Sequence, residues 1–307
     1  MTINRREWLA AGTMVSAGFM TGAVSAVASD TAENPAKKGV FKLSSQEGVI
    51  PGKSLTERLD KMEKWGFAGI EFGGGGLAKR VEEIQKALSG RSIKISAICS
   101  GYDGVLISED PAIRKKCIES IKEILVAAGA LGSTGLIMVP AFNGQTKLGH
   151  VEGRKVLLEV LRELSEPAQK AGTRILLEPL NRGEAWFLRQ LADAAAICKD
   201  AKHPAICQMG DFYHMGIEEP CDYAAFLAAR NYVHHVHLAS RPTRVMPGLD
   251  KKNLKDDFRP GFKALKTIGY QDFCSLECSI EGKPEIDIPK GAQFLKQQWE
   301  ECDSWTL

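Results

Sequence analysis

From residue 39 onward, short apolar runs alternate with longer segments of helical periodicity. Eight runs of four to seven residues are rich in aliphatic and β-branched side chains, and we expect each to form a strand. These runs cover residues 40–45, 69–72, 93–99, 135–140, 174–179, 205–211, 233–239 and 273–278. Between them, segments such as 54–65, 112–131 and 153–171 place apolar residues at i, i+3 and i+4, the spacing of an amphipathic helix.

Glycines occur in this alternating pattern at positions where a helix would end and a strand would begin. They occupy positions 66, 132, 172 and 269, where the chain needs a residue that tolerates the left-handed conformation. Eight strand–helix repeats over about 270 residues predict one (β/α)8 barrel, whose usual size is ~250 residues. A doubly wound open sheet is the alternative, but the segment after its first strand, "KLSSQEGVIPGK", lacks the expected glycine fingerprint. The run "FGGGG" at 72–76 predicts a tight turn, with a phosphate or sugar contact as the alternative.

The first 28 residues have a different character from the rest of the chain. Adjacent Arg5 and Arg6 precede an apolar, small-residue stretch that runs from Leu9 to Ala28 and ends in "AVA". This build predicts a signal peptide of the twin-arginine type over residues 1–28, with a membrane anchor as the alternative. Residues 29–38 would be a polar linker and residues 39–307 the barrel. We therefore expect an exported, periplasmic or otherwise extracytoplasmic protein with no stable membrane insertion once the signal is removed.

Composition and charge exclude some classes of protein. Hydrophobic content of 44% and charged content of 25% are those of an ordinary globular protein. Lys and Arg number 40 and Asp and Glu 38, and the resulting net charge of +2 disfavours a nucleic-acid partner. The eight cysteines form no CxxC pair, so they predict buried free thiols rather than a zinc framework, with disulfides as the alternative.

Ionisable side chains stand at the ends of four consecutive predicted strands. Glu178 ends the fifth, Asp211 the sixth, His237 the seventh and Glu277 the eighth. The carboxyl ends of barrel strands form the active site, and a charge in an apolar context is costly unless it is compensated. The four residues therefore predict a divalent-metal site. Three carboxylates and one imidazole suit Mn²⁺ best, then Co²⁺ or Mg²⁺, with Zn²⁺ less suited in the absence of thiolates.

The segment "NYVHHVHLASR" at 231–241 holds three histidines in four positions. Because side chains alternate along a strand, His235 and His237 should share the inner face and His234 should point towards the outer helices. His235 would then lie one layer below His237, where it either supports that residue or simply packs.

Four stretches together resemble one known family. They are "EPLNRGE" (178–184), "GDFYHM" (210–215), "HVHLASRPTRVMPG" (235–248) and "SLEC" (275–278). The chain from about residue 39 to 300 resembles the sugar isomerase/epimerase branch of the xylose-isomerase-like TIM barrels, which includes D-tagatose and D-psicose 3-epimerases.

The resemblance implies a role for each matching residue. The metal ligands would be Glu178, Asp211, His237 and Glu277, and the groups that hold the oxygens of the sugar would be Glu184, His214 and Arg244. The segment before Arg244 departs from the family, because it lacks an acidic residue and its arginine comes one position late. Arg241 therefore competes with Arg244 for the same role.

The chemistry that the resemblance implies is proton transfer next to a carbonyl. Glu178 and Glu277 would flank the substrate as catalytic bases, one removing the proton and the other returning it, through a metal-stabilised enediolate. We expect an epimerase or aldose–ketose isomerase of a small keto-sugar, unphosphorylated because the protein is expected to be exported, and working as a homo-oligomer. A keto-sugar or keto-glycoside dehydratase or lyase and a non-catalytic sugar-binding barrel are the alternatives. An abasic-site endonuclease is disfavoured by the charge.

Overall fold

Eight parallel strands close into a barrel in chain order, with β1 paired to both β2 and β8. The computed structural model describes residues 38–241, 243–252 and 256–306, so the predicted signal at 1–28 and all but the last residue of the linker lie outside the described residues. The strands are β1 Lys42–Gln46, β2 Gly69–Gly73, β3 Lys94–Cys99, β4 Leu136–Met138, β5 Ile175–Leu177, β6 Ile206–Asp211, β7 Val233–Leu238 and β8 Phe273–Leu276. The prediction of a single (β/α)8 barrel is confirmed.

Helices connect successive strands and cover the outside of the barrel. Over the described residues they are α1 Leu55–Lys64, α2 Val81–Leu88, α3 Pro111–Ala130, α4 His150–Ala171, α5 Leu191–Ala201, α6 Phe212–Glu218, α7 Asp222–Ala229, α8 Arg259–Thr267 and α9 Pro284–Glu301. Side chains cap the amino ends of some of them, as Ser54 does for α1 and Asp110 for α3. Within this part of the chain, none of the helices combines the length and the apolar character that crossing a bilayer requires.

The four glycines that were expected to end helices adopt the left-handed conformation. Their φ angles are 77° at Gly66, 68° at Gly132, 75° at Gly172 and 70° at Gly269. Each stands directly after the last turn of a helix and lets the chain reverse towards the next strand. The sequence prediction for these positions is therefore confirmed.

The glycine run after β2 forms a turn that packs closely against the loop after β3. A Cβ atom on Gly74 would lie 2.1 Å from the carbonyl oxygen of Ser100, and one on Gly101 would lie 2.1 Å from the backbone nitrogen of Gly75. Leu77 N donates to Gly74 O at 3.1 Å and closes the turn. The predicted tight turn is confirmed, and the contact between the two loops accounts for the absence of a side chain at Gly74 and Gly101.

One extra residue in β7 disturbs the alternation of its side chains. Gln208 of β6 pairs with Val233, but two residues later Gly210 pairs with Val236, three residues on. His234 is half-buried and its Nδ1 lies 2.7 Å from Oδ2 of Asp272, which stands immediately before β8. Strict alternation is interrupted at this irregularity, and the contact of His234 with the outer helices stays a prediction. The eight cysteines all have free thiols, as predicted, but burial holds for five of them, since Cys99, Cys221 and Cys278 are half-buried.

Candidate active site

The four residues at the ends of strands β5 to β8 converge on one point of the barrel. Glu178 follows β5, Asp211 ends β6, His237 lies in β7 and Glu277 follows β8. Each offers one oxygen or nitrogen atom within 4.8 Å of the others. Glu178, Asp211 and His237 are buried and Glu277 is half-buried. Parallel strands of a closed barrel end on the same side, which is why residues about 100 positions apart in the chain meet.

The charges in this cluster are unbalanced. His237 Nδ1 lies 2.9 Å from Glu277 Oε2 and 3.6 Å from Glu178 Oε1. Burial, with the nearby charge of Glu277, raises the pKa of Asp211 to about 7, and burial also raises the pKa of Glu178. Burial acts the same way on Glu277, but His237 and Arg244 outweigh it and lower that pKa to about 2. Three carboxyl groups thus compete for few positive charges.

These residues fit a divalent cation. His237 Nδ1 is buried and makes no well-formed hydrogen bond within the described residues, although carboxylate oxygens surround it. One imidazole nitrogen and three converging carboxylates form a donor set that Mn²⁺ and similar ions accept. Glu178, Asp211, His237 and Glu277 could hold such an ion.

The three residues expected to bind the sugar lie beside the cluster. His214 is buried at the start of α6, with Nε2 3.5 Å from Asp211 Oδ2 and 3.3 Å from Arg244 Nη1. Glu184 Oε1 lies 3.9 Å from both His214 Nδ1 and Arg244 Nη1. Burial, and secondly the charge of Arg244, lower the pKa of His214 to about 3. His214 is therefore a neutral imidazole that can exchange hydrogen bonds with hydroxyl groups.

The structure separates the two arginines that competed for one role. Arg244 Nη2 contacts Asp211 Oδ2 at 3.3 Å and also binds Glu277, and its guanidinium lies 4.9 Å from the centre of the Tyr213 ring. Arg241 instead binds the buried Asp222 at the start of α7. Arg244 has a φ of 56°, a left-handed conformation that is strained for a residue with a side chain. Arg244 thus faces the cluster and Arg241 does not.

Two further residues contact the cluster, and neither was predicted from the sequence. Glu71 in β2 is buried, and its Oε2 lies 2.8 Å from His235 Nε2 and 3.0 Å from His237 Nε2. Gln46 at the end of β1 donates from Nε2 to Glu71 Oε1 and to Glu277 Oε1, both at 2.9 Å. Glu71 is an ionisable residue inside the apolar run "GIEF". An ionisable residue in an apolar strand is also the signal that identified the four cluster residues. The structure also shows that His235 supports His237 through Glu71.

The chain belongs to the family described as xylose isomerase-like TIM barrel, whose model matches residues 59–298. Among its relatives it is 31% identical over 254 residues to the 3-dehydro-D-guloside 4-epimerase of Escherichia coli strain K12, a match that covers 79% of this chain and 94% of that protein. It is 26% identical over 255 residues to the L-ribulose 3-epimerase of Mesorhizobium japonicum, covering 80% and 82%. The crystal structure of the E. coli 3-keto-D-glucoside 4-epimerase superposes with a TM-score of 0.77 at 27% identity, covering 84% of this chain and 100% of that one.

These similarities confirm the resemblance to the sugar epimerase branch that the motifs indicated. The two relatives compared by sequence and the one compared by structure are each named as an epimerase of a keto-sugar or a keto-glycoside. The family model matches residues 59–298, a range that includes all four cluster residues.

Proposed function

We propose that the chain is a divalent-metal-dependent epimerase of an unphosphorylated keto-sugar, and that a keto-glycoside with its carbonyl at C3 is the preferred substrate class. The observation that carries the proposal is the convergence of Glu178 and Glu277 on one cluster from strands three apart around the barrel. The choice of a glycoside follows the stronger similarity, which is to the 3-dehydro-D-guloside 4-epimerase over 94% of its length.

The two glutamates have complementary positions for inverting a carbon next to a carbonyl. In this proposal, a sugar lying over the cluster presents one face to Glu178, which follows β5, and the other to Glu277, which follows β8. One carboxylate removes the proton on its side, and the other returns a proton from the opposite side, which inverts the centre. A divalent cation held by the four cluster residues, when bound, supplies Lewis-acid neutralisation of the charge that develops on the substrate oxygens.

The neighbouring side chains would orient the sugar for this transfer. Arg244 donates hydrogen bonds to an oxygen that gains negative charge, and its contacts with Asp211 and Glu277 hold the guanidinium in place. His214, as a neutral imidazole, and Glu184 would bind hydroxyl groups beside the reacting carbon. This set of hydrogen bonds fixes which carbon of the ring lies between the two glutamates.

Solvent deuterium exchange tests the proposal directly. The protein with excess Mn²⁺ would be incubated in D₂O with 3-keto-glucosides and with free ketoses, and the products followed by proton NMR. We expect deuterium at C4 of a keto-glycoside together with its epimer. Deuterium at C4 without an epimer would contradict the epimerase, and release of the aglycone would show a lyase instead. Binding of the sugar with no exchange would show a binding protein.

The two-base arrangement predicts a complementary pattern in two variants. Glu178→Gln and Glu277→Gln should both abolish epimerisation, while each still exchanges deuterium into only one of the two epimers. Metal content would be measured in parallel, because both residues belong to the cluster. Asp272→Asn is the control, since it changes another carboxylate–imidazole contact outside the cluster. Retention of epimerisation by either glutamate variant would refute the assignment of two bases.

We also propose that residues 1–28 direct export, and that the enzyme acts outside the cytoplasm. The paired arginines at 5 and 6 and the apolar stretch that follows support this proposal. Cell fractionation of the full chain, with an Arg5→Lys/Arg6→Lys variant as control, tests it. Equal export of both forms would exclude the twin-arginine route, and retention of both in the cytoplasm would exclude export.

A further inference from the structure

Glu71 lies beside the cluster and binds two histidines at once. Its side chain has no exposed surface, and Oε2 lies 2.8 Å from His235 Nε2 and 3.0 Å from His237 Nε2. Its other oxygen accepts a hydrogen bond from Gln46 at 2.9 Å. A carboxylate can only accept hydrogen bonds, so each ring nitrogen that bonds to it must carry a hydrogen.

This contact determines which nitrogen of His237 is available to a cation. A neutral imidazole carries one hydrogen, and a hydrogen on Nε2 leaves a lone pair on Nδ1. Nδ1 is the atom that faces Glu277 at 2.9 Å and Glu178 at 3.6 Å. In the opposite tautomer the hydrogen would lie on Nδ1 and would be donated to Glu277. That bond would occupy both the nitrogen and a carboxylate oxygen that a cation needs.

We propose that Glu71 is a positioning residue that accepts a hydrogen bond from Nε2 of His237, and so holds the ring with Nδ1 turned towards the cation site. The proposal rests on the divalent-metal site proposed above. His235 and Gln46 hold Glu71 in place, because they bind different oxygens of its carboxylate and so fix the plane of that group. Ring orientation follows too, since His235 and His237 stand at an interplanar angle of 87° around the carboxylate.

Glu71→Gln is the variant that tests this role with the least change of shape. The new amide can donate a hydrogen bond to one histidine, which must then accept it on Nε2 and carry its hydrogen on Nδ1. Asp272→Asn is the matched control, because it makes the same substitution class in another carboxylate–imidazole contact, at His234 of the same strand.

The first measurement needs no metal and no substrate. In metal-free protein labelled with ¹⁵N-histidine, the ring nitrogen shifts report which atom of His237 carries the hydrogen. We expect hydrogen on Nε2 of His237 in the wild type and in Asp272→Asn, and its loss in Glu71→Gln. A wild-type Nε2 without hydrogen would overturn the proposal, even if the Glu71 variant does not fold.

The second measurement is the affinity for Mn²⁺, by titration calorimetry and by loss of the free-ion electron paramagnetic resonance signal. We expect Glu71→Gln to weaken binding about 10–100-fold, and Asp272→Asn to bind as the wild type does. Equal affinities of wild type and Glu71→Gln, or an equal loss in both variants, would overturn the role of Glu71. Failure of the wild type itself to bind Mn²⁺, Co²⁺, Mg²⁺ or Zn²⁺ would instead overturn the proposed metal site.

Discussion

Replacing Arg241 with alanine tests whether this arginine supports the fold rather than the sugar. Arg241 binds Asp222, whose side chain is 2% exposed, and its guanidinium lies 5.7 Å from the centre of the Phe212 ring. The alanine variant leaves a buried carboxylate without this partner. Loss of one member of a buried ion pair costs about 3–5 kcal/mol, and we take about 3 because Arg241 is itself partly exposed.

The cost should depend on pH in a defined direction. Burial raises the pKa of Asp222, although Arg241 lowers it, so removal of Arg241 should raise that pKa further. An acid whose pKa is raised by folding costs nothing while it stays protonated in both states, and it destabilises the folded state as the pH rises through its folded pKa. The deficit of Arg241→Ala should therefore be small near pH 4 and complete at pH 8.

Thermal unfolding of the metal-free protein measures this deficit. At about 2–4 °C per kcal/mol for a domain near this size, about 3 kcal/mol lowers Tm by roughly 6–12 °C at pH 8. Adding Asp222→Asn to the variant should remove the pH dependence of the deficit, because the titrating group is gone. A deficit that is the same from pH 4 to pH 8 would refute the reasoning. So would a loss of kcat/KM in Arg241→Ala as large as that in Arg244→Ala.

Four further outcomes are expected. Arg244→Ala should lower kcat/KM by about 10²–10³-fold in steady-state kinetics, because the variant lacks a donor to an oxygen that gains charge. A loss under threefold would contradict this role. Gln46→Leu should lower kcat about 10–100-fold with little change in KM, because the two carboxylates it bonds lose their orienting donor. Gly74→Ala should lower the free energy of unfolding in urea by about 1–3 kcal/mol, because its Cβ would lie 2.1 Å from Ser100 O. Gly73→Ala is the control, because its Cβ would have nothing within 4 Å. Chelation should abolish activity and lower Tm, and Mn²⁺ at about 100 times its Kd should restore about 2.7 kcal/mol; activity that survives complete metal removal would contradict the proposed mechanism.

The barrel could be predicted from the sequence because its signals are local and repeat eight times. Strand runs, helical spacing and terminal glycines each depend on a few neighbouring residues. The strand runs recur in all eight repeats, and glycines end four of the helices. The same regularity made the cluster predictable, because an acid or imidazole at the end of a predicted strand is visible in the sequence. The structure brings Glu178, Asp211, His237 and Glu277 together as those positions indicated.

The parts that could not be predicted depend on geometry that a linear pattern does not encode. The extra residue in β7 and the contact of His234 with Asp272 are two such features. Gln46 reaches Glu277 only because the barrel closes β1 against β8, a pairing of the two ends of the domain. Which of the two arginines faces the cluster, and the left-handed backbone at Arg244, are likewise not visible in the sequence.

The closure of the barrel divides the site between two halves of the chain. All four cluster residues come from the half that begins with β5, whereas Gln46 and Glu71, which orient them, come from the half that ends with β4. If the chain were cut between β4 and β5, one fragment would contain every metal donor. The other fragment would contain Gln46 and Glu71, which orient those donors. Neither fragment would contain a complete site, so metal affinity would report on their association. The same barrel could thus serve as a split sensor, in which two fused partners that meet restore the site.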